Sequence, residues 1–395
     1  MNSSPVAPGS QASLREANRA RVLDTLRHQG ALTQVEIAGA TGLSAATVST
    51  LVRELAGSNV VTLSPSIRSG RRAITVSLDS GTGLLAALVF DDRDLRVVVG
   101  DPDRRVLGQQ RLPLPEGHRA DEALDRAVNL LYDVIERIGG REGDLGAVAV
   151  GLPAPVDSVS GEVGSDSILP GWRGIPVAAS VTERLGVAVT LENTANLAAL
   201  GEMADGVLQG VRNGCFILAS YGVGAGLVIG GEIFRGSAGT AGELGHVTID
   251  ENGPICRCGN RGCLDTFVGV HALLGALAAS HGRLTLNDVL NRAENGDPGC
   301  RRVLGDAGTH IGVAAAGVVN LINPEVLVLG GRLARMGELL IGPIREAVDR
   351  CAIPSAAATV LVRTGVVTDP ELNGALVVAA QTRRRQALRG GSNGG

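Results

Sequence analysis

His246 stands ten residues ahead of a run in which Cys256, Cys258 and Cys263 fall within eight positions. One imidazole and three thiolates make a closed tetrahedral donor set, the chemistry of a structural zinc ion with no position left for substrate. Gly259 and Gly262 lie between the ligands, where the chain must turn tightly. A zinc segment over 246–263 is expected. The other three cysteines, Cys215, Cys300 and Cys351, are isolated among apolar neighbours and are expected in the core.

Other chemistries drop out by composition. The sequence has no lysine, so all 36 basic residues are arginine. A Walker-type phosphate loop and Schiff-base catalysis both need a lysine amine and are excluded. The first 80 residues carry eight arginines against five acids, giving +3 and leaving −7 of the overall −4 to the remainder. A basic front on an acidic body is the asymmetry expected when only the front meets phosphates.

The elements that must carry such a front follow from local pattern. Leu14, Ala17, Ala20, Val22, Leu23 and Leu26 keep helical spacing over Ser13 to His28, ended by Gly30. Thr33 and Glu36 form a capping box at a second helix carrying Val35, Ile37 and Ala38, which stops near Thr41 and Gly42. Ser44 is the expected cap of a third helix, whose Val48, Leu51, Val52 and Leu55 make one apolar stripe. Off that stripe lie Ala45, Ala46, Thr47, Ser49, Thr50 and Arg53, small enough to let a helix sit deep in a major groove. Val60 to Leu63 and Ala73 to Leu78 read as a hairpin with Arg68, Arg71 and Arg72 at its tip. The whole is a winged helix-turn-helix. Its expected DNA contacts are Ser44, Ala45, Ala46, Thr47, Ser49, Thr50 and Arg53 on the helix, and Arg68, Arg71 and Arg72 on the wing.

At 395 residues, with 44% hydrophobic, 19% charged and only 2% aromatic residues, the chain fits two or three globular domains with Ala, Val, Leu and Ile cores. Beyond residue 80, short apolar strands (Leu84 to Phe90, Leu95 to Val99, Ala147 to Val150, Ala188 to Leu191) alternate with a helix from Asp121 to Ile138. A second set follows: Cys215 to Ala219, Leu227 to Ile229 and Val326 to Leu329, with a helix over Gly312 to Leu321. Two such halves predict an α/β body of two lobes with a ligand cleft between them. No run of about 18 apolar residues occurs and the first residues lack the order of a signal peptide, so a cytoplasmic protein without a membrane partner is expected.

Residues 84 to 380 resemble the ROK family of repressors, open reading frames and sugar kinases with the actin-like ATPase fold. The resemblance is carried by Gly151 to Asp157 (GLPAPVD), Ile168 to Trp172 (ILPGW), Leu191 to Asn196 (LENTAN), Tyr221 to Gly226 (YGVGAG), the His246 and cysteine cluster, and Asn323 to Gly331 (NPEVLVLGG). With the front segment, the organisation is similar to the family's transcriptional repressors.

The resemblance implies two departures from the family's kinases. Val89 to Asp94 lies over the turn that cradles ATP phosphates, and it has three carboxylates and no glycine. Thr194 stands where the kinases' aspartate general base is expected, and a hydroxyl cannot take that proton at neutral pH. Sugar-contacting positions are implied at Asn193, Glu243, His246 and Asp265, the last in place of a glutamate, while Ser167 and Ile168 replace a usual asparagine contact.

The expected organisation is a disordered 1–12, a winged helix-turn-helix over 13–80, a two-lobed sugar-kinase-like domain over 81–382, and a disordered tail over 383–395. The expected function is a repressor of carbohydrate genes that is no longer an enzyme. It would bind a double-stranded operator as a homodimer or dimer of dimers, and answer to a sugar or sugar-phosphate effector. The alternatives are an ATP-dependent hexose or N-acetylhexosamine kinase with a DNA-binding head, and a ligand-free regulator that uses the body only for dimerisation.

Overall fold

A computed structural model describes residues 11–57, 60–68, 71–78, 83–157, 161–164 and 169–390. The side chains of Arg68, Arg71 and Arg72, and the whole of Ser167 and Ile168, lie outside the described set. The described residues divide into two compact units, 11–83 with 380–390, and Leu84–Ala379.

In the first unit, α1 (Gln11–Gln29) is followed by β1 (Leu32–Thr33), α2 (Gln34–Thr41), α3 (Ala45–Gly57) and the hairpin β2 (Val61–Arg68) with β3 (Arg71–Leu78). The sheet order is β1-β3-β2, all antiparallel. Val22, Leu26, Ile37, Val48, Leu51, Val52, Leu55 and Val76 form its core. Burying each aliphatic side chain contributes roughly 1.5–3 kcal/mol. α1 begins two residues ahead of the expected start. Within α2, Ile37 is buried, but Val35 is 80% exposed, because one turn of so short a helix can face the core with only one of them.

The second unit repeats one topology twice. Its first half has β4 (Leu84–Phe90), β5 (Asp94–Gly100), β6 (Val106–Pro113), α4 (Ala120–Arg137), β7 (Leu145–Leu152), α5 (Val177–Leu185), β8 (Ala188–Asn193) and α6 (Thr194–Asp205), with sheet order β6-β5-β4-β7-β8. Its second half has β9 (Gly214–Ala219), β10 (Val223–Ile229) and β11 (Glu232–Ile233), then α7 (Asp265–Val268), α8 (Val270–His281), α9 (Leu286–Glu294) and the long α10 (Pro298–Ile322). It closes with β12 (Val326–Gly330), α11 (Glu338–Cys351), α12 (Pro354–Ala357) and β13 (Leu361–Thr364), in the order β11-β10-β9-β12-β13. In each sheet an antiparallel three-stranded meander is extended by two parallel strands. The two lobes expected from the strand pattern are present.

Each lobe has its own core. Phe90, Leu131, Val150 and Trp172 anchor the first; Ile217, Leu304, Ile311 and Leu329 anchor the second. β4 is apolar along nearly its whole length because both of its faces are covered.

The last helix, α13 (Pro370–Gly390), corrects the expected tail. Arg383 to Gly390 is helical, and Arg383 Nη1 donates 2.8 Å to the Gly83 carbonyl. Its apolar start (Leu372, Ala375, Leu376, Ala379) is buried, and the arginines that looked like a frayed run are good helix formers placed toward a C-terminus, where the helix dipole favours cations. Among the described residues no single helix is long and apolar enough to cross a membrane.

Candidate effector cleft, metal centre and nucleic-acid interface

The helix pair of the first unit has the geometry its sequence implies. Thr33 N donates to Glu36 Oε2 at 2.7 Å and Glu36 N to Thr33 Oγ1 at 3.3 Å, closing the capping box. Gly42, at φ 69°, ends α2 in the left-handed region. Ser44 Oγ accepts from Thr47 N at 3.1 Å and so starts α3. The two axes are bent by 117°, within the range of DNA-binding helix pairs. With Val48, Leu51, Val52 and Leu55 turned inward, Ser44, Ala45, Ala46, Thr50 and Arg53 are exposed, and Thr47 and Ser49 are half-buried. Arg15 of α1 pairs with Glu54, bracing α3 from the side. The wing's backbone pairs Arg68 with Arg71.

The four metal-type side chains converge. His246 Nδ1 lies 3.6 Å from Cys256 Sγ, and Cys258 Sγ 3.7 Å from Cys263 Sγ. All four ligand atoms lie within 4.8 Å of one another. A tetrahedral ion with the usual zinc bond lengths needs N···S and S···S edges of about 3.6 and 3.8 Å, so the donor set fits. The loop is folded by Cys256 N donating to Asn260 O (2.7 Å) and Gly262 N to Pro254 O (2.7 Å). Gly262 has φ +65°, and a Cβ there would meet Asp250 O at 1.5 Å, so no other residue fits. Gly259, at φ +90°, faces open space and is required by conformation alone. Of the remaining cysteines, Cys215 and Cys300 are buried as expected, whereas Cys351 is exposed, because it ends α11 beyond the helix's packed face.

A cavity opens beside the metal loop, lined among others by Asn193, Thr194, Glu243 and His246. Asn193 ends β8 and caps α6: Oδ1 accepts from Ala195 N at 2.7 Å, and Nδ2 donates to Ala154 O at 2.9 Å. Thr194, the next residue, is buried at the cavity edge. Asp265 is not on this wall. Its carboxylate accepts from Val223 N at 3.1 Å and is held 2.8 Å from Arg257 Nη2, and it is Arg257, between two metal-type cysteines, that reaches the cavity.

A second cavity of about 410 Å³, which shares Asp91, Arg96 and Glu371 with the first, has ionic walls. The β4–β5 turn is the segment Asp91 to Arg93, since Phe90 pairs with Leu95. Asp94 is buried there, 2.5 Å from Arg111 Nη2 and 3.3 Å from Arg332 Nη2. Arg96 lies 3.2 Å from Asp369 and 3.4 Å from Glu371. Arg332 also covers the Tyr221 ring, with its guanidinium 4.9 Å from the centroid. Glu202 accepts from the backbone amides of Val207, Val366 and Val367. Burial pushes the Asp91 carboxyl up to about 6, with the neighbouring Asp94 adding to the rise and the Asp92 amide, Arg96 and Arg332 opposing it.

Compared with known proteins, residues 92–382 match the ROK family, well over half of the chain. The chain belongs to the ROK family. Residues 16–72 of the same chain match the MarR family. A xylose repressor of Caldicellulosiruptor bescii is 27% identical over 363 residues, covering 87% of this chain and 90% of the relative. A glucokinase of Halalkalibacterium halodurans is 33% identical over 248 residues, 58% of this chain and 75% of the relative. The crystal structure of a ROK family transcriptional regulator, a homologue of the E. coli MLC protein, superposes with a TM-score of 0.81 at 22% identity, covering 97% of this chain and 100% of that one. The two-lobed ROK body with an N-terminal winged helix-turn-helix, expected from the motifs, is the fold observed.

The ROK cleft also holds residues that sequence reasoning passed over. Arg96, Arg111, Arg332, Asp369 and Glu371 carry no motif; only the return of β12 and α13 to the β4–β5 turn brings them together. Arg257 had a signal, its position inside the metal loop, which fixes its backbone beside the cavity.

Proposed function

We propose that this ROK protein is a DNA-binding transcriptional repressor of carbohydrate genes. Its body takes a sugar or sugar-phosphate effector in the cleft beside His246 and has given up phosphoryl transfer. The observation that carries the reading is the union in one chain of a MarR-type head with a ROK body, an organisation shared over 87% of the chain with a xylose repressor.

In this reading Ser44, Ala45, Ala46, Thr47, Ser49, Thr50 and Arg53 face the major groove, and the wing arginines meet phosphate or the minor groove. His246, Cys256, Cys258 and Cys263 hold a structural zinc ion. Asn193, Glu243 and His246 contact the effector, with Asp265 acting from behind through Arg257. The protein works in the cytoplasm as a homo-oligomer, its two heads matching a two-fold operator.

Loss of catalysis is supported by two features. Backbone amides cannot cradle a phosphate around Asp91 and Asp92, whose side chains occupy the turn and carry the wrong charge. Thr194, where a carboxylate base would stand, has no proton-accepting form at neutral pH, and losing a positioned base costs roughly 10²- to 10⁴-fold in rate.

Gel-shift titration tests the regulator: an operator fragment is expected to be bound at low salt and released, or bound more tightly, on adding the right sugar. Indifference of the protein to duplex DNA would defeat the reading. The similarity to a glucokinase favours a second reading, a hexose kinase with a DNA-binding head. Release of ADP with glucose or N-acetylglucosamine above background would establish it; none is expected.

A further inference from the structure

A sugar phosphate brings a dianion to whichever part of the cleft its substituent reaches. Space does not exclude it, because the half-open chamber lined by Asp91 offers about 410 Å³. Charge does. Three arginines face that chamber and each is already engaged, Arg111 and Arg332 by Asp94, and Arg96 by Asp369 and Glu371. Asp91 and Glu202 share the wall, so five carboxylates stand against three guanidiniums. On the metal side, the one further arginine of the lining, Arg257, is held by Asp265, and Glu243 adds another carboxylate.

An anion entering from either direction therefore meets an excess of like charge and must displace a carboxylate already seated on its arginine. Like-charge juxtaposition in a confined site costs several kcal/mol. A neutral polyol meets the opposite situation, since each of its hydroxyls can donate to a carboxylate oxygen.

We infer that the effector of this cleft is an uncharged sugar, and that the phosphorylated form of the same sugar is rejected by the carboxylates that occupy the arginines. The inference rests on the effector reading above and narrows it.

Calorimetric titration of the full chain compares xylose, glucose and N-acetylglucosamine with glucose 6-phosphate and N-acetylglucosamine 6-phosphate, alongside thermal melts in millimolar inorganic phosphate. One neutral sugar is expected to bind, its phosphate ester at least about 100-fold more weakly. Inorganic phosphate is expected to leave Tm unchanged. The double variant Asp369→Asn, Glu371→Gln releases Arg96 and is expected to narrow the ratio about tenfold, with far-UV circular dichroism and a cooperative thermal melt reporting that the variant is folded.

An ester that binds as tightly as its parent sugar, or saturable stabilisation by inorganic phosphate, overturns the inference and leaves a sugar-responsive regulator standing. An unchanged ratio in a folded double variant also counts against it. Silence from every sugar and ester removes the effector reading itself, and the inference with it.

Discussion

Asp94 at the start of β5 and Arg332 just after β12 meet at 3.3 Å, although 238 residues separate them. The carboxylate is buried and also holds Arg111, so one acid from the first sheet neutralises cations from both lobes of the body. Asp94→Ala leaves these guanidiniums without their partner. Breaking a fully buried pair costs about 3–5 kcal/mol, but the Arg111 side chain is 58% exposed, which lowers the expected loss to about 2 kcal/mol. Urea denaturation measures it; a change below about 0.5 kcal/mol would mean that the cluster contributes nothing to stability.

Asp91 gives stability a pH dependence of known sign. Its folded carboxyl sits at about 6 against an ordinary 3.8, so folding favours the protonated form. The contribution is fully present below about pH 4 and is lost as pH rises through about 6, amounting to about 3 kcal/mol at most. Asp91→Asn keeps an acceptor for the Asp92 amide and removes the buried charge. It is expected to melt higher than wild type at pH 7.5, with the difference closing by pH 4; equal melting at both pH values would show that the carboxyl is not perturbed.

The metal loop makes a stoichiometric prediction. Elemental analysis should find one zinc per chain in the wild type and none in Cys258→Ser or Cys263→Ser. Both variants, and wild type treated with chelator, should melt well below the holo protein, because the ligands otherwise leave three thiols and an imidazole crowded without a common partner. Cys351→Ser, at an exposed position, should leave metal content and Tm unchanged.

On the head, Thr50→Glu sets a carboxylate on an exposed position of α3 and should abolish operator binding while far-UV circular dichroism stays the same. Arg53→Ala should weaken binding to all sequences alike and reduce the salt slope by about one. Sequence-selective loss in Arg53→Ala would instead make Arg53 a base reader.

Ser44→Ala removes the hydroxyl that starts α3 and should cost about 1 kcal/mol in the melting of the first unit. Limited proteolysis across a temperature series can follow that unit separately from the body.

Local order was legible in the sequence because it is written in neighbours. The capping box at Thr33 and Glu36, the stripe of Val48, Leu51, Val52 and Leu55, and the metal set from His246 to Cys263 involve residues at most eighteen positions apart, so spacing alone carries them. The duplicated α/β pattern was legible for the same reason: buried strands are short apolar runs wherever they occur. Exposure at element ends was not, and Val35 and Cys351 turned outward although their types suit a core. Nor was the ionic cleft. Arg96, Arg332 and Glu371 are ordinary surface residues by composition, and nothing in the spacing of Arg257 and Asp265 announces that they pair beside the cavity. Charge pairing over hundreds of residues leaves no period in a chain. It is decided only when the two sheets close on each other.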